Sequence, residues 1–304
     1  AEKARLDIQP QALWITQGKE NPRIVQIVDT RGVSLLSEAT LKALENYQVK
    51  LLGGQPSMDD TQVEQRLPLA VLTPTDKKQP PALLTAHGDI FSDPQWAGVE
   101  NDTAAPLRIR TQNQRMGAVD ANGQWVVPPQ FEQIQPFTGP YSWATVTDGK
   151  TSSQRIIDRR GTVMDVPTRT LQMAKGLSGG LLQTVAGEGA QQRWGLWDIA
   201  AKREVIAPVY DQIEAFNEGY ALARSGTAWG VINATGNWAV TPDAQQSEKP
   251  LAMGNGLYLQ TFGTDSARRY RLVSTDTGRP LAEDLLEKPR AVGREHWLDR
   301  KSVV

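Results

Sequence analysis

The sequence predicts an all-β fold built from tandem repeats of short-strand meanders, and three observations predict it. Two stretches echo each other: Trp194-Gly195-Leu196-Trp197-Asp198 with Val205-Ile206-Ala207-Pro208-Val209-Tyr210-Asp211, and Trp229-Gly230-Val231-Ile232-Asn233 with Trp238-Ala239-Val240-Thr241-Pro242. A turn signature recurs as Asp29/Gly32, Thr85/Gly88, Asp120/Gly123, Asp158/Gly161 and Asn233/Gly236, with Asp198/Ala201 and a degenerate Thr275/Gly278 completing the series. From 85 to 120, 158, 198, 233 and 275 its steps are 35, 38, 40, 35 and 42 residues, a period that marks a propeller, a solenoid or an array.

Each unit reads as a meander. The first strand carries Trp-Gly or a substitute, as in Trp229-Gly230-Val231. Asp or Asn at the turn accepts backbone N–H bonds two residues on, and the later Gly supplies positive φ. The next strand, Gln124 to Val127 or Asn237 to Val240, is expected to stop at a proline: Pro94, Pro129, Pro167, Pro208 or Pro242. A third segment, Tyr210 to Phe216 with its counterpart Phe131 to Phe137, alternates apolar and polar residues like a half-buried strand. A small-then-large pair opens the fourth strand at Pro140-Tyr141, Gly180-Leu181, Gly219-Tyr220 and Gly256-Leu257.

These residues carry a resemblance. The pattern Trp-Gly-x-Ile-Asp-x-x-Gly, then Val-x-Pro-x-Tyr-Asp-x-Ile and Gly-x-Ala, resembles the WG-repeat (WG β-repeat) family. It is sharpest over 194–242, clear over 116–185, and weaker over 20–36, 82–94 and 252–282. The chain departs from it where Met116 and Gln154 replace the Trp, and where Pro81 and Val25 stand at that offset. The resemblance implies a β-repeat array typical of bacterial secreted or envelope proteins, and no catalytic residues, because the motif is structural.

The expected organisation is a single array over 1–304 of about seven units, anchored near 29, 85, 120, 158, 198, 233 and 275. A propeller-like ring is the first expectation and an open, curved β-solenoid the alternative. The terminal segment 294–304 resembles one more first strand and would close the ring by pairing with 11–36. The 56-residue step from 29 to 85 is read as an insertion over 37–80. It would hold a short helix from Ser37 to Tyr47, a helical turn over Asp59 to Gln65, and a Pro-bearing loop over Thr73 to Pro81.

Composition narrows the function. Net charge is −1, so nothing suggests capture of nucleic acid or anionic lipid, and Arg159-Arg160 and Arg268-Arg269-Arg271 read as solvated clusters. No apolar run approaches the ~18 residues of a membrane span. The chain has no cysteine, which excludes thiolate metal sites and disulfides and agrees with an oxidising compartment. The start Ala1-Glu2-Lys3-Ala4 reads as a mature form after signal-peptide removal, hence periplasmic or secreted.

Motifs of chemistry dissolve into the repeat. Gly176-Leu177-Ser178-Gly179-Gly180 matches a nucleophile elbow, yet aligns with the repeat loop Phe216-Asn217-Glu218-Gly219-Tyr220. His87 falls in a hairpin turn and reads as exposed, His296 stands apart from it, and no metal site is expected. Asp120-Ala121-Asn122-Gly123 lacks the remaining ligands of a calcium loop. Asp211, Glu132 and Glu214 are carboxylates a glycosidase could use, but all are repeat positions. Aromatics off the pattern, Trp96, Trp143, Tyr258 and Trp297, are the candidate partner-binding residues. The expected function is non-enzymatic: a scaffold of the bacterial envelope presenting a rigid β-repeat surface to a protein or peptide partner, with no cofactor. The alternative is a glycan-binding or glycan-hydrolysing protein using carboxylates and exposed Trp on one face.

Overall fold

The computed structural model describes residues 5–9, 12–17, 23–29, 32–52, 66–291 and 297–298. The chain is all-β, and it divides into two compact units, Ala1–Met164 and Asp165–Val304. The first unit holds sheet 1 (Arg5–Gln9, Ala12–Gln17, Arg23–Asp29) and sheet 2 (Tyr47–Leu51, Ala70–Pro74, Ala82–Leu84, Ile90–Ser92). It also holds sheet 3 (Trp96–Val99, Leu107–Thr111, Met116–Val119, Trp125–Phe131) and sheet 4 (Gln133–Ile134, Tyr141–Asp148, Thr151–Asp158). The second holds sheet 5 (Ala174–Ser178, Leu181–Ala186, Arg193–Asp198, Arg203–Tyr210) and sheet 6 (Gln212–Ile213, Tyr220–Ser225, Ala228–Asn233, Trp238–Val240). Sheet 7 follows (Leu251–Gly254, Leu257–Phe262, Arg269–Ser274, Pro280–Leu285). All seven are antiparallel meanders in chain order. The Trp-Gly strand is the third strand of its sheet, so the sequence unit straddles two sheets.

Within each unit the sheets pack face against face, and side-chain alternation along a strand decides which neighbour each residue meets. In sheet 3, Leu107, Ile109 and Val119 pack with Leu83 of sheet 2, whereas Met116, Ala118 and Val127 pack with Ile134, Ala144 and Ile157 of sheet 4. In sheet 6, Ile213, Ala221, Ala223 and Ile232 join Leu181, Leu196 and Ile206 of sheet 5. Leu222, Val231 and Val240 turn the other way, to Tyr258 and Val273 of sheet 7. Inner strands are thus buried on both faces, which is why Met116–Val119 is apolar throughout.

The turn that follows the third strand holds this stacking. The Asp120 carboxylate accepts the N–H groups of Asn122 and Gln124 at 2.8 and 2.9 Å, Asp158 those of Arg160 and Thr162 at 2.9 and 2.8 Å, and the Asn233 amide oxygen those of Thr235 and Asn237 at 3.1 and 3.0 Å. Gly123, Gly161 and Gly236 follow with φ of +81°, +80° and +83°. Each glycine is also pressed against the fourth strand of the preceding sheet. A Cβ on Gly123 would stand 2.5 Å from the Phe91 ring, one on Gly161 3.0 Å from Val127 Cγ1, and one on Gly236 would collide with Ile206. Sheet 5 departs: Ala201 replaces the glycine, its N–H meets Asp198 Oδ1 at 2.9 Å, and the left-handed residue moves to Lys202 at +53°.

The glycine of Trp-Gly answers a different constraint. A Cβ on Gly117, Gly195 or Gly230 would stand 2.5, 2.5 or 2.6 Å from the carbonyl oxygen of Val127, Ile206 or Val240 across the ladder, so the fourth strand can cross only a bare backbone. Sheets 3 and 4, and sheets 5 and 6, are also joined by a polar reach. In the buried pair, Arg108 and Asp102 approach to 2.7 Å while Arg108 Nη1 donates to the Ile134 carbonyl of sheet 4 at 2.6 Å. At the same place in sheet 5, Gln183 Nε2 donates to the Ile213 carbonyl of sheet 6 at 3.1 Å.

Several expectations are corrected. Pro129 and Pro208 lie inside their strands and do not end them, because these are edge strands where a missing N–H costs no ladder bond. Segment 37–80 opens with the expected helix α1, Glu38–Ala43, where Ser37 Oγ accepts the Thr40 N–H at 3.0 Å. It also carries the first two strands of sheet 2, Tyr47–Leu51 and Ala70–Pro74, so the added chain is their long connection over 52–69. The helical turn expected over 59–65 lies outside the described residues. Helix α2, Thr168–Met173, was not expected; its N-cap position is Pro167, with no side-chain cap to signal it. Closure of 294–304 on 11–36 falls largely outside the described residues; Trp297–Leu298 pairs with Arg290–Ala291.

Gly32 and Gly236 share nearly the same φ, +81° and +83°, but Gly32 has open space where a Cβ would stand. Gly32→Ala is therefore expected to cost about 1–2 kcal/mol from the left-handed backbone alone, and Gly236→Ala a further ~1–3 kcal/mol from overpacking against Ile206. Urea denaturation reads both; equal losses would refute the packing argument.

Candidate functional site

In the second unit, polar and aromatic side chains group along the ends of sheets 5 to 7 where second and third strands turn. Arg193 ends the turn of sheet 5, immediately before Trp194, which pairs with Tyr210. The next residue, Asp211, is thereby brought to Arg193 Nη1 at 3.3 Å, and its other oxygen accepts the Gly226 N–H at 2.6 Å. Sheet 3 repeats the plan in the first unit: Arg115 precedes Met116, Met116 pairs with Phe131, and Glu132 follows. The Glu132 carboxyl is held below its usual value by hydrogen bonds from Thr147 and Ser152, with the Arg115 charge acting in the same direction.

In sheet 6, Arg224 and Trp229 stand opposite each other on neighbouring strands. The half-buried Trp229 ring has Lys249 Nζ 5.6 Å and Arg224 Cζ 6.0 Å from its centre, within cation–π reach. Lys249 also pairs with Glu214 at 2.7 Å. In sheet 7, Arg271 lies 4.4 Å from the Phe262 ring centre and 3.1 Å from Asp243. These groups are partly exposed, so each pair is worth at most about 1 kcal/mol of stability. Their effect is to display alternating cations, carboxylates and ring faces on a backbone fixed by sheet stacking.

Asp211 and Glu214 each face a cation, and the Glu132 carboxyl is held low, which suits an ionised carboxylate and not a proton donor. Ser178 is buried, and its hydroxyl accepts the Phe216 N–H at 2.8 Å, tying sheet 5 to the first turn of sheet 6. The Asp120 carboxylate is spent on its own turn, as above, and His87 is half-buried in its turn, not exposed. Among the described residues, no cluster of three or more His, Asp or Glu side chains could hold a metal ion, and no helix is long and apolar enough to cross a membrane. His296 lies outside the described residues.

Two of the four candidate aromatics are core. Trp96 is 0% exposed, with the Phe91 and Trp125 rings 5.6 and 6.3 Å away, because its strand begins beneath the fourth strand of sheet 2. Tyr258 is 6% exposed among Leu222, Val231 and Val240, and its phenol is pushed up by burial first, then by Glu218 and Tyr220. Neither can anchor a partner. Trp143 is half-buried opposite Ile156, and the side chain of Trp297 lies outside the described residues. Trp229 was passed over because Trp-Gly is a repeat position, Arg271 had been read only as part of a solvated cluster, and Arg193 and Lys249 were not singled out. The available signal was an arginine just before that position followed by an acid near the end of the next strand, as in Arg115/Glu132 and Arg193/Asp211.

A family model described as WG containing repeat matches residues 116–150 and 194–226. No curated protein matches the sequence. Among solved structures, the chain resembles dipeptidyl peptidase 4 from Porphyromonas gingivalis with 12% identity and a TM-score of 0.33, over 93% of this chain and 45% of that one. It resembles TolB from Acinetobacter baumannii with 13% identity and a TM-score of 0.25, over 91% of this chain and 77% of that one. The chain thus spans under half the length of the peptidase, and scores this low do not establish a shared fold.

Ser178→Ala is expected to cost about 1–3 kcal/mol by leaving the Phe216 N–H unmet, with no fluorophosphonate labelling before or after; labelling of the wild type alone would restore the nucleophile. For Glu132, the lowered folded pKa makes its contribution complete above 4.5 and lost as pH falls toward the folded value. Glu132→Gln should therefore lower Tm at neutral pH, and the two Tm–pH curves should converge below pH 4.5.

Proposed function

We propose that this chain, which carries WG repeats, is a non-enzymatic binding protein of the bacterial envelope, periplasmic or secreted, that presents a rigid surface to a protein or peptide partner. The observation that carries the reading is the band of paired charges and ring faces around Trp229. Trp and Arg are the side chains that most often anchor interfaces. Here they are set on strands whose backbone is fixed from both sides, so little ordering entropy is lost on binding. The neutralised carboxylates argue against a hydrolytic site. The absence of cysteine suits an oxidising compartment.

The test is capture from envelope extract with the immobilised chain, the double variant Trp229→Ala/Lys249→Glu, and a variant shortened between the first two strands of sheet 2 by removing residues 55–63. A defined protein retained by the wild type and lost with the Trp229 double variant supports the reading. Loss only with the shortened variant moves the binding surface to that connection. No retained protein, together with release of soluble sugar from a peptidoglycan or glycan panel, would replace the scaffold with a glycan-active protein.

A further inference from the structure

The repeat provides a template for what sheet 7 lacks. Sheets 5 and 7 build the turn between second and third strands alike. Gly187 and Gly263 open it at φ of +84° and +68°, Gly189 and Asp265 take φ of +55° and +48°, and a single 3-10 turn follows in both. Arg193 and Arg269 then stand before Trp194 and Tyr270, which pair with Tyr210 and Leu285. The next residue is Asp211 in sheet 5, ion-paired to Arg193, but Leu286 in sheet 7.

Leu286 cannot neutralise the arginine, and it is 48% exposed. Between it and the turn lies a cleft of about 660 Å³ lined by Asp265, Ser266, Arg268, Arg269, Tyr270 and Leu286. Arg269 Nη1 donates to the Arg268 carbonyl at 2.8 Å, which fixes the half-buried guanidinium without neutralising it. Among the described residues Arg269 has no carboxylate within ion-pair distance, whereas Arg268 pairs with Glu248 at 3.0 Å. Arg268 Nε is buried and has no hydrogen-bond partner among the described residues. Asp265 borders the cleft, beyond ion-pair distance of either arginine.

We propose that this cleft binds an acidic peptide, one carboxylate of which occupies the place that Asp211 takes in sheet 5. Arg269 supplies the paired N–H donors, Ser266 and Tyr270 offer hydroxyls, and Leu286 gives an apolar edge for the neighbouring side chain. The proposal rests on the partner-binding reading and names the chemistry of that partner.

The probe is a fluorescein-labelled peptide of alternating Glu and Leu, followed by anisotropy against the intact chain. Arg269→Ala should weaken binding at least about tenfold, the loss of roughly one charge-assisted pair. Leu286→Asp restores the repeat's own ion pair, so it should weaken binding as much while leaving Tm unchanged or raised. Arg203→Ala, an exposed arginine on the fourth strand of sheet 5, should bind within twofold of wild type. Wild-type affinity in Leu286→Asp, or displacement of the peptide by inorganic phosphate at equal concentration, would overturn the acidic-peptide site. If the peptide fails to bind while a protein is still retained from extract, this cleft falls and the binding reading stands. If the peptide binds through Arg269 and no protein is retained, the cleft stands and the envelope-partner reading falls.

Discussion

In sheets 3, 4 and 6 the turn after the third strand meets the outer strand of the sheet before it, and much of the stacking within each unit follows from that contact. Gly123, Gly161 and Gly236 satisfy two demands with one residue: a left-handed backbone and no side chain where Phe91, Val127 and Ile206 arrive. The Asp or Asn three residues earlier shapes the loop by accepting N–H bonds that would otherwise be unmet. Sheet 5 shows how much freedom remains. With Ala201 in place of glycine, the left-handed step passes to Lys202 and the anchor Asp198 bonds one residue further along.

The parts of this fold legible in the sequence were those fixed by backbone chemistry. Turn anchors and Trp-Gly strands were readable because each requires particular residue types at fixed spacing, whereas the alternating segments 131–137 and 210–216 form strand only at Gln133–Ile134 and Gln212–Ile213, their first residues ending the strand before. What escaped was set by packing between sheets. The strands Tyr47–Leu51 and Ala70–Pro74 looked like an insertion because Gln48, Lys50 and Thr73 dilute their pattern and a long connection separates them. Pro129 and Pro208 looked like terminators because edge position is invisible in one dimension. Trp96 and Tyr258 stood off the repeat, which left contact and core roles equally open, and the volume between stacked sheets is what they fill.

The candidate site taught the converse. The Trp-Gly position was set aside as structural, but Trp229 occupies it and is only half-buried, with Arg224 and Lys249 against its ring. A side chain may therefore build the unit and display chemistry together. The surface pairs contribute little to stability; their interest lies in how the pairing changes from sheet to sheet on a nearly constant backbone.

The polar reach between neighbouring sheets has a consequence for how such chains grow. Arg108 and Gln183 differ in charge and length, yet each finds the same acceptor, the carbonyl closing the short first strand of the sheet that follows. The joint is standardised on the acceptor side, and a backbone carbonyl cannot be lost by mutation. A duplicated or inserted module arrives with that half of the coupling already made and needs only one donor to dock. At these two seams the backbone fixes the acceptor and only the donor side chain differs, so the donor can vary while the joint keeps its place.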